Sequence, residues 1–418
     1  MLRAYVISLF LFVFFSVLAQ DVQKIKVKNV DTAYRSYLIK MKNEAVEKRK
    51  LLLKEWENAE CDSVLNVNFS KLYFEKMPDI SCFTNLQVID AENNLIKKLP
   101  KSTFKSDSLV KINFSLNEIK RVCFKSNSTI TSVTLSNNKL KRIPRSIRKL
   151  KQLRQLDLSD NQIKKIPGFL LKLDSLNEIT LNYNQIKLTK RSVRYLANIN
   201  TILLAGNKLT ELPENIDELT AARKLNFAKN ELSVLPEAFG NLDSLTSVIF
   251  YKNQFAEIPS EIFKLKKLSE LDFYYNQIKE IPNEIGDLTN LKQLFLSYNS
   301  ISALPESMAK LKNLKYLYLH HNKLVIVPEW ITQLSSLDRL DMSYNRISSL
   351  PDLSKIDSLT EVDLQENQLE YFPWDLLEKE NLKALVIRNN PFILDKDEKK
   401  FLEKWASDQN TSKTLLVY

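Results

Sequence analysis

Glycine is scarce in this chain, with four in 418 residues, and histidine is scarcer, with only two, adjacent at His320 and His321. None of the four glycines stands in a nucleotide-binding arrangement, so no loop offers its backbone to a phosphate. The three cysteines (Cys61, Cys82 and Cys123) cannot all pair within one chain, and neither CxxC nor HExxH spacing occurs, which speaks against a zinc site. Cys61 and Cys82 flank the first structural unit described below, so a capping disulfide and buried free thiols are both open readings. No nucleophile lies in motif spacing with a base and no catalytic domain is appended, so the chain does not read as an enzyme and implies no cofactor.

Long apolar runs are also lacking, apart from one at the very start. In MLRAYVISLFLFVFFSVLAQ, Arg3 precedes an apolar stretch from Ala4 to Leu18, and Val17-Leu18-Ala19 supplies small-residue cleavage chemistry. The stretch is shorter than the ~20 residues of a spanning helix, which favours a cleaved secretory signal over residues 1–19 against an uncleaved anchor. The expected mature chain begins at Gln20, has no membrane span after signal cleavage, and is secreted, periplasmic or at the cell surface.

What the sequence has in abundance is repetition. LRQLDLSDNQIKKIP (153–167), LSELDFYYNQIKEIP (268–282), LKQLFLSYNSISALP (291–305) and LKYLYLHHNKLVIVP (314–328) share the pattern LxxLxLxxNxLxxLP. Its asparagine recurs at 94, 117, 138, 161, 184, 207, 230, 253, 276, 299, 322, 345, 367 and 390, nearly always 23 residues apart. A degenerate fifteenth unit precedes these, with Val64, Val67, Phe69, Phe74, Met77 and Pro78 in the apolar frame and Leu72 in the asparagine's place. Within each unit xLxLx has period two, so it is a short strand with leucines on one side and the intervening residues on the other. Stacked strands make a parallel sheet at about 4.8 Å per unit, whose leucines fill a core that no single unit could close. The asparagine amide, at a turn, can satisfy backbone groups of its own and the next coil. Prolines such as Pro282 and Pro305 end the strand side, and Phe239 with Leu242 suits a helical or 3-10 turn on the return.

These units make the chain resemble the leucine-rich repeat family, in the class of short 23-residue units with Leu-Pro after the asparagine turn and a closing IxxL, as at Ile285 and Leu288. The resemblance implies an α/β fold: a horseshoe solenoid with a parallel concave β-sheet, short helical or 3-10 convex segments, and recognition of a partner across the concave face. About fifteen repeats then occupy residues 61–393. Both ends of such a stack expose core and need covers. Residues 20–60 suggest a helical cap, with Tyr34, Leu38, Met41, Ala45 and Leu52 at near-helical spacing, and residues 394–418 resemble the family's terminal cap, with Phe401, Leu402 and Trp405 on one helical face. Two units depart from the pattern: Val122-Cys123 replaces Leu-Pro after Asn117, and KLTKRSVRYLANIN follows Asn184. Both read as local changes of convex-side geometry.

Charge is uneven along the array. Residues 61–200 carry 25 Lys/Arg against 11 Asp/Glu, while residues 201–418 carry 25 against 32, beneath an overall net charge of +11. Much of the excess sits three and four residues after the asparagine, at Lys97, Lys98, Lys120, Arg121, Lys141, Arg142, Lys164 and Lys165, forming a ladder down one lateral edge. Nucleic acid fits poorly, since no aromatics interleave along that edge; an acidic glycan or other polyanion, anionic lipid or acidic protein fits better, but the leading reading is a solvated face that resists aggregation. The concave positions change character along the chain. Early units place Ser132, Thr134 and Ser136 there, whereas five later units place Tyr251, Glu270, Asp272, Tyr274, Tyr275, Phe295, Tyr298, Tyr316, Tyr318, His320, His321, Arg339, Asp341 and Tyr344. Aromatic rings with a few charges on a rigid sheet are the material of binding hot spots, although cross-strand packing is a structural alternative. A protein or peptide partner is the expectation; inhibition of a secreted enzyme would use the same surface.

Overall fold

The computed structural model describes residues 27–408 and 415–418, so the expected leader over 1–19 lies outside the described residues. Sixteen three-residue strands, β1 (Asn66–Asn68) to β16 (Leu415–Val417), form one parallel sheet in chain order. The middle residue of each strand faces the core, as the period-two pattern requires. In β10 (Glu270–Asp272), β11 (Gln293–Phe295), β12 (Tyr316–Tyr318) and β13 (Arg339–Asp341), the residues Leu271, Leu294, Leu317 and Leu340 are each 0% exposed and pair strand to strand in a constant step. This is the expected horseshoe architecture of α/β class, with the sheet on one side and mostly 3-10 turns on the other.

Each return begins at a proline whose fixed backbone suits the start of a turn. The segment Asn283–Asp287, for example, follows Pro282 at φ −64°, buries Ile285, and closes as Leu288 N–H donates to Ile285 O at 3.1 Å. Where the sequence departs after Asn184, an α-helix, α2 (Lys190–Leu196), replaces the 3-10 turn. Thr189 caps it, accepting from Ser192 N–H while the Ser192 side chain accepts from Thr189 N–H. In the other departing unit Val122 is buried and Cys123 exposed.

The asparagines are structural. The Nδ2 of Asn322 donates to Leu319 O in its own coil and to Leu296 O in the preceding coil, both at 3.0 Å, and its Oδ1 accepts from Ile301 N–H at 2.9 Å. The bridge therefore runs to the preceding coil and not to the next one. Immediately before the asparagine the backbone turns left-handed in every unit, for instance at Asn93 (φ 55°), Asn137 (φ 52°) and Gly206 (φ 66°).

Helix α1 (Val27–Asn58) covers the first coil. Trp56 stands edge-on to Phe69 and Phe83, with ring centroids 5.8 Å away in both cases, while Arg49 donates to Tyr73 O and lies over the Phe74 ring. Of the residues expected on the covering face, Ala45 and Leu52 pack there, joined by Leu53 and Trp56. Met41 is exposed, and the side chains of Tyr34 and Leu38 lie outside those described. At the other end α3 (Lys396–Asp408) buries Leu402, while Phe401 remains half exposed with its edge toward Trp374. Beyond it β16 pairs in parallel with β15 (Ala384–Val386), so a strand and not a helix alone closes that end.

Candidate recognition face

Counting back from each asparagine fixes three concave rows. Six residues before it, Glu270, Gln293, Tyr316, Arg339 and Glu361 run across β10 to β14 (Glu361–Asp363). Four residues before it, the register aligns Asp272, Phe295, Tyr318, Asp341 and Asp363. Two residues before it stand Tyr251, Tyr274, Ser297, His320 and Ser343. Phe295 and Tyr318 stack at a centroid distance of 5.0 Å with 8° between their planes. The Tyr318 hydroxyl accepts from Arg339 Nη1 at 3.2 Å, and Arg339 is ion-paired with Glu361. Tyr316 stands half-buried at the start of its strand, in register with Arg339.

A second aromatic series climbs the edge where the strands end. Tyr275, Tyr298, His321 and Tyr344 occupy the left-handed position before the asparagine, with φ of 59°, 52°, 54° and 54°. Their rings form a continuous stack: Tyr275 to Tyr298 at 4.2 Å, Tyr298 to His321 at 3.9 Å and His321 to Tyr344 at 4.2 Å. Tyr274 ties the two series together, with Tyr251 and Tyr298 at 5.3 Å and His320 at 5.4 Å. The stack walls an open trough of about 670 Å³ that also reaches Arg346 and Glu366. Earlier units mix low-cost left-handed formers at this position, Asn93, Asn137, Asp160 and Gly206, with Leu116, Tyr183, Lys229 and Lys252. Four consecutive coils place a ring there, and these rings stack on one another.

Electrostatically the face is desolvated. Burial lowers both histidines, and the neighbouring His320 lowers His321 further, to about 4, so both are neutral at physiological pH. Burial also raises the phenols of Tyr251, Tyr274, Tyr298 and Tyr318. Asp272 is pushed up to about 7 by burial, and Asp363 likewise by burial and then by the charge of Asp341. The two imidazoles diverge at 79°, and no group of three His, Cys, Asp or Glu side chains suited to a metal occurs among the described residues.

All fourteen residues singled out on this face in the sequence lie on it or along its strand-end edge, within five consecutive coils. Sequence reasoning passed over Asp363, Glu361, Arg346 and Glu366, because it followed the aromatics; counting back four and six from Asn367 finds the first two. The basic ladder lies elsewhere. Lys97, Lys98, Lys120, Arg121, Lys141, Arg142, Lys164 and Lys165 are all exposed on the far half of the array, with one acidic neighbour, Glu118, 3.9 Å from Lys97. The three cysteines are free and exposed, so neither the capping disulfide nor thiol burial is present. Cys61 nonetheless hydrogen-bonds the Cys82 thiol, pushing it up to about 11.

Two family models match the chain, a leucine-rich repeat region over residues 271–405 and a leucine-rich repeat over residues 118–163. No curated protein matches it in sequence. Among solved structures, a leucine-rich repeat protein of Leptospira interrogans is 26% identical, with TM-score 0.73, covering 88% of this chain and 98% of that one. A plant peptide hormone receptor, RGFR1, in complex with RGF2, is 26% identical with TM-score 0.59, over 79% of this chain and 56% of the receptor. An internalin from Listeria monocytogenes, at 21% identity and TM-score 0.58, covers 85% of this chain and 87% of its own and shares the fold. No helix among the described residues is long and apolar enough to cross a membrane.

Proposed function

Because the chain belongs to the leucine-rich repeat family, whose members are generally protein-interaction modules without enzymatic activity, we propose that it is a secreted or cell-envelope recognition module. It binds a peptide or protein segment across the concave face of β10–β14 and catalyses no reaction. The single observation that carries this reading is the concentration of half-buried rings, Tyr274, Phe295, Tyr298, Tyr318 and His320 among them, in one run of neighbouring coils. Elsewhere the same strand positions carry no ring, as at Ser132, Thr134, Lys111 and Leu203. Ring-rich, partly desolvated patches on rigid scaffolds supply most of the energy at protein interfaces.

Ring orientation favours a peptide over a sugar. A sugar stacks on an open ring face, but Tyr298 and His321 each have both faces covered by neighbours at about 4 Å. They offer edges, hydroxyls and a nitrogen instead. The similarity to a receptor solved with RGF2 supports the same class of partner. Inhibition of a secreted enzyme would be one use of this face, and polyanion binding would belong to the separate basic edge.

A randomised peptide library displayed on phage and selected against the immobilised chain tests the reading. Enriched pools should lose binding to Phe295→Ala/Tyr318→Ala and keep it with Ser132→Ala/Thr134→Ala. Pools that depend on the polar half and ignore the aromatic pair would refute it. Export is tested separately, by sequencing the N-terminus of protein recovered outside the cytoplasm, where Gln20 is expected.

A further inference from the structure

The central concave row reads, strand by strand, Asp272, Phe295, Tyr318, Asp341, Asp363. Two stacked rings thus stand between carboxylates on an open sheet face. Part of what the aspartates do is structural. One oxygen of each accepts the backbone N–H two residues on: Tyr274 at 2.8 Å, Ser343 at 3.1 Å and Gln365 at 3.1 Å. In other coils either aspartate or asparagine does the same work: Asp90 accepts from Glu92 at 3.1 Å and Asp157 from Ser159 at 2.9 Å, while Asn68 accepts from Ser70 at 3.0 Å, Asn113 from Ser115 at 3.0 Å and Asn226 from Ala228 at 2.8 Å. The turn needs an oxygen acceptor and has no need of a charge.

The charges are therefore in excess of what the fold uses, and nearby cations do not neutralise them. Lys224 is paired with Glu270 at 3.4 Å, Arg339 with Glu361, and Arg388 donates through Nε to Gln365 at 2.8 Å. No ion pair to Asp272, Asp341 or Asp363 occurs among the described residues. Burying an unpaired carboxylate is costly, and an arriving cation recovers that cost.

We propose that this face docks a peptide segment bearing a lysine or arginine, whose methylene stem lies along Phe295 and Tyr318 and whose cation reaches Asp272 or the Asp341 and Asp363 pair. The inference rests on the concave face being the recognition surface. Basic side chains suit such a row because their stems are apolar while their heads are charged. With strands about 4.8 Å apart, Asp272 is one strand from Phe295 and Asp341 one strand from Tyr318. An acidic partner would meet uncompensated carboxylates at both ends of the rings.

Proton release gives a second signature. Asp272 faces Glu270, Lys224 and Tyr274; Asp363 faces Asp341, Arg388 and Gln365; and His320 lies near Asp341. With the two raised carboxyls titrating near 7, docking a cation expels a proton, so binding weakens as pH falls through about 7.

The test uses the full chain and peptides from a randomised phage library of about twelve residues per insert. Enriched inserts should carry lysine or arginine, and binding should weaken as sodium chloride is raised. Binding should fall at least about tenfold with Asp272→Asn/Asp341→Asn/Asp363→Asn, a change that keeps the turn acceptors. Inserts that need Phe295 and Tyr318 but are neutral or acidic, and bind the asparagine variant equally, overturn the charge inference and leave the concave reading standing. Inserts indifferent to Phe295→Ala/Tyr318→Ala overturn both. If the asparagine variant melts early, the salt and pH dependence of the unmodified chain decides alone, and flat profiles count against the proposal.

Discussion

Substituting Asn345 by leucine isolates the asparagine bridge that holds neighbouring coils together. Its Oδ1 accepts from Leu324 N–H at 3.0 Å, and its Nδ2 donates to Leu319 O, Met342 O and Ser343 O at 3.0, 2.9 and 3.1 Å. These four groups do not suffer equally. Leu319 O still accepts from Asn322 Nδ2 at 3.0 Å, Met342 O from Asn367 Nδ2 at 3.0 Å, and Ser343 O from His321 N–H at 3.0 Å. Only the Leu324 N–H, beside a side chain that is 0% exposed, is left without a partner. One orphaned buried N–H costs about 1–3 kcal/mol, and the loss of second partners at the three carbonyls adds less, so a total of about 3 kcal/mol is expected and not four times the single value. Urea denaturation measures the total, and hydrogen exchange of the peptide spanning residues 319–326 locates it. An unchanged midpoint together with unchanged protection of Leu324 would refute the reasoning.

The remaining predictions concern core, charge and pH. Leu294→Ala removes a fully buried side chain from the middle of the solenoid and should cost ~2–5 kcal/mol in the same denaturation assay. Replacing Lys141, Arg142, Lys164 and Lys165 with glutamine should shift elution from a heparin column to lower salt if the basic edge is a binding surface; identical elution would leave it a solvated face. Asp272 has a folded-state pKa of about 7 against an ordinary 3.8, so its neutral form favours folding below 3.8 and that stability is lost as pH rises through about 7. Asp272→Asn should therefore be neutral at the acid end and stabilising above about 7, the gap widening by at most about 1.4 kcal/mol per pH unit between those values, as read from melting curves.

The scaffold was legible because one amide at a 23-residue interval fixes register, and register fixes which side chain faces which way. That is why Leu317 and Leu319 could be assigned to the core and Tyr316, Tyr318 and His320 to the open face without coordinates. Ring geometry was not legible. The stack of Tyr275, Tyr298, His321 and Tyr344 depends on a left-handed backbone at one position per coil, and composition does not announce it when tyrosine stands where asparagine or glycine is cheaper. The covering face of α1 was half legible: helical spacing predicts a stripe, but which part of it meets the first coil is a tertiary matter, and there Trp56 and Arg49 make the contacts while Met41 stays exposed. Strand β16 escaped because three apolar residues near a terminus carry no pattern. Phe295 and Tyr318 pack on each other, so their removal carries a stability cost and should lose ~0.5–1.5 kcal/mol.

That coupling sets the most direct test of the concave face as the recognition surface. The affinity of the best enriched peptide and the unfolding free energy are measured side by side for the unmodified chain and for Phe295→Ala/Tyr318→Ala. The account predicts a binding loss of ~2 kcal/mol or more, about thirtyfold, against a smaller loss of stability. Unchanged affinity in a measurably destabilised variant would mean that the two rings serve the fold and that recognition happens elsewhere on the molecule.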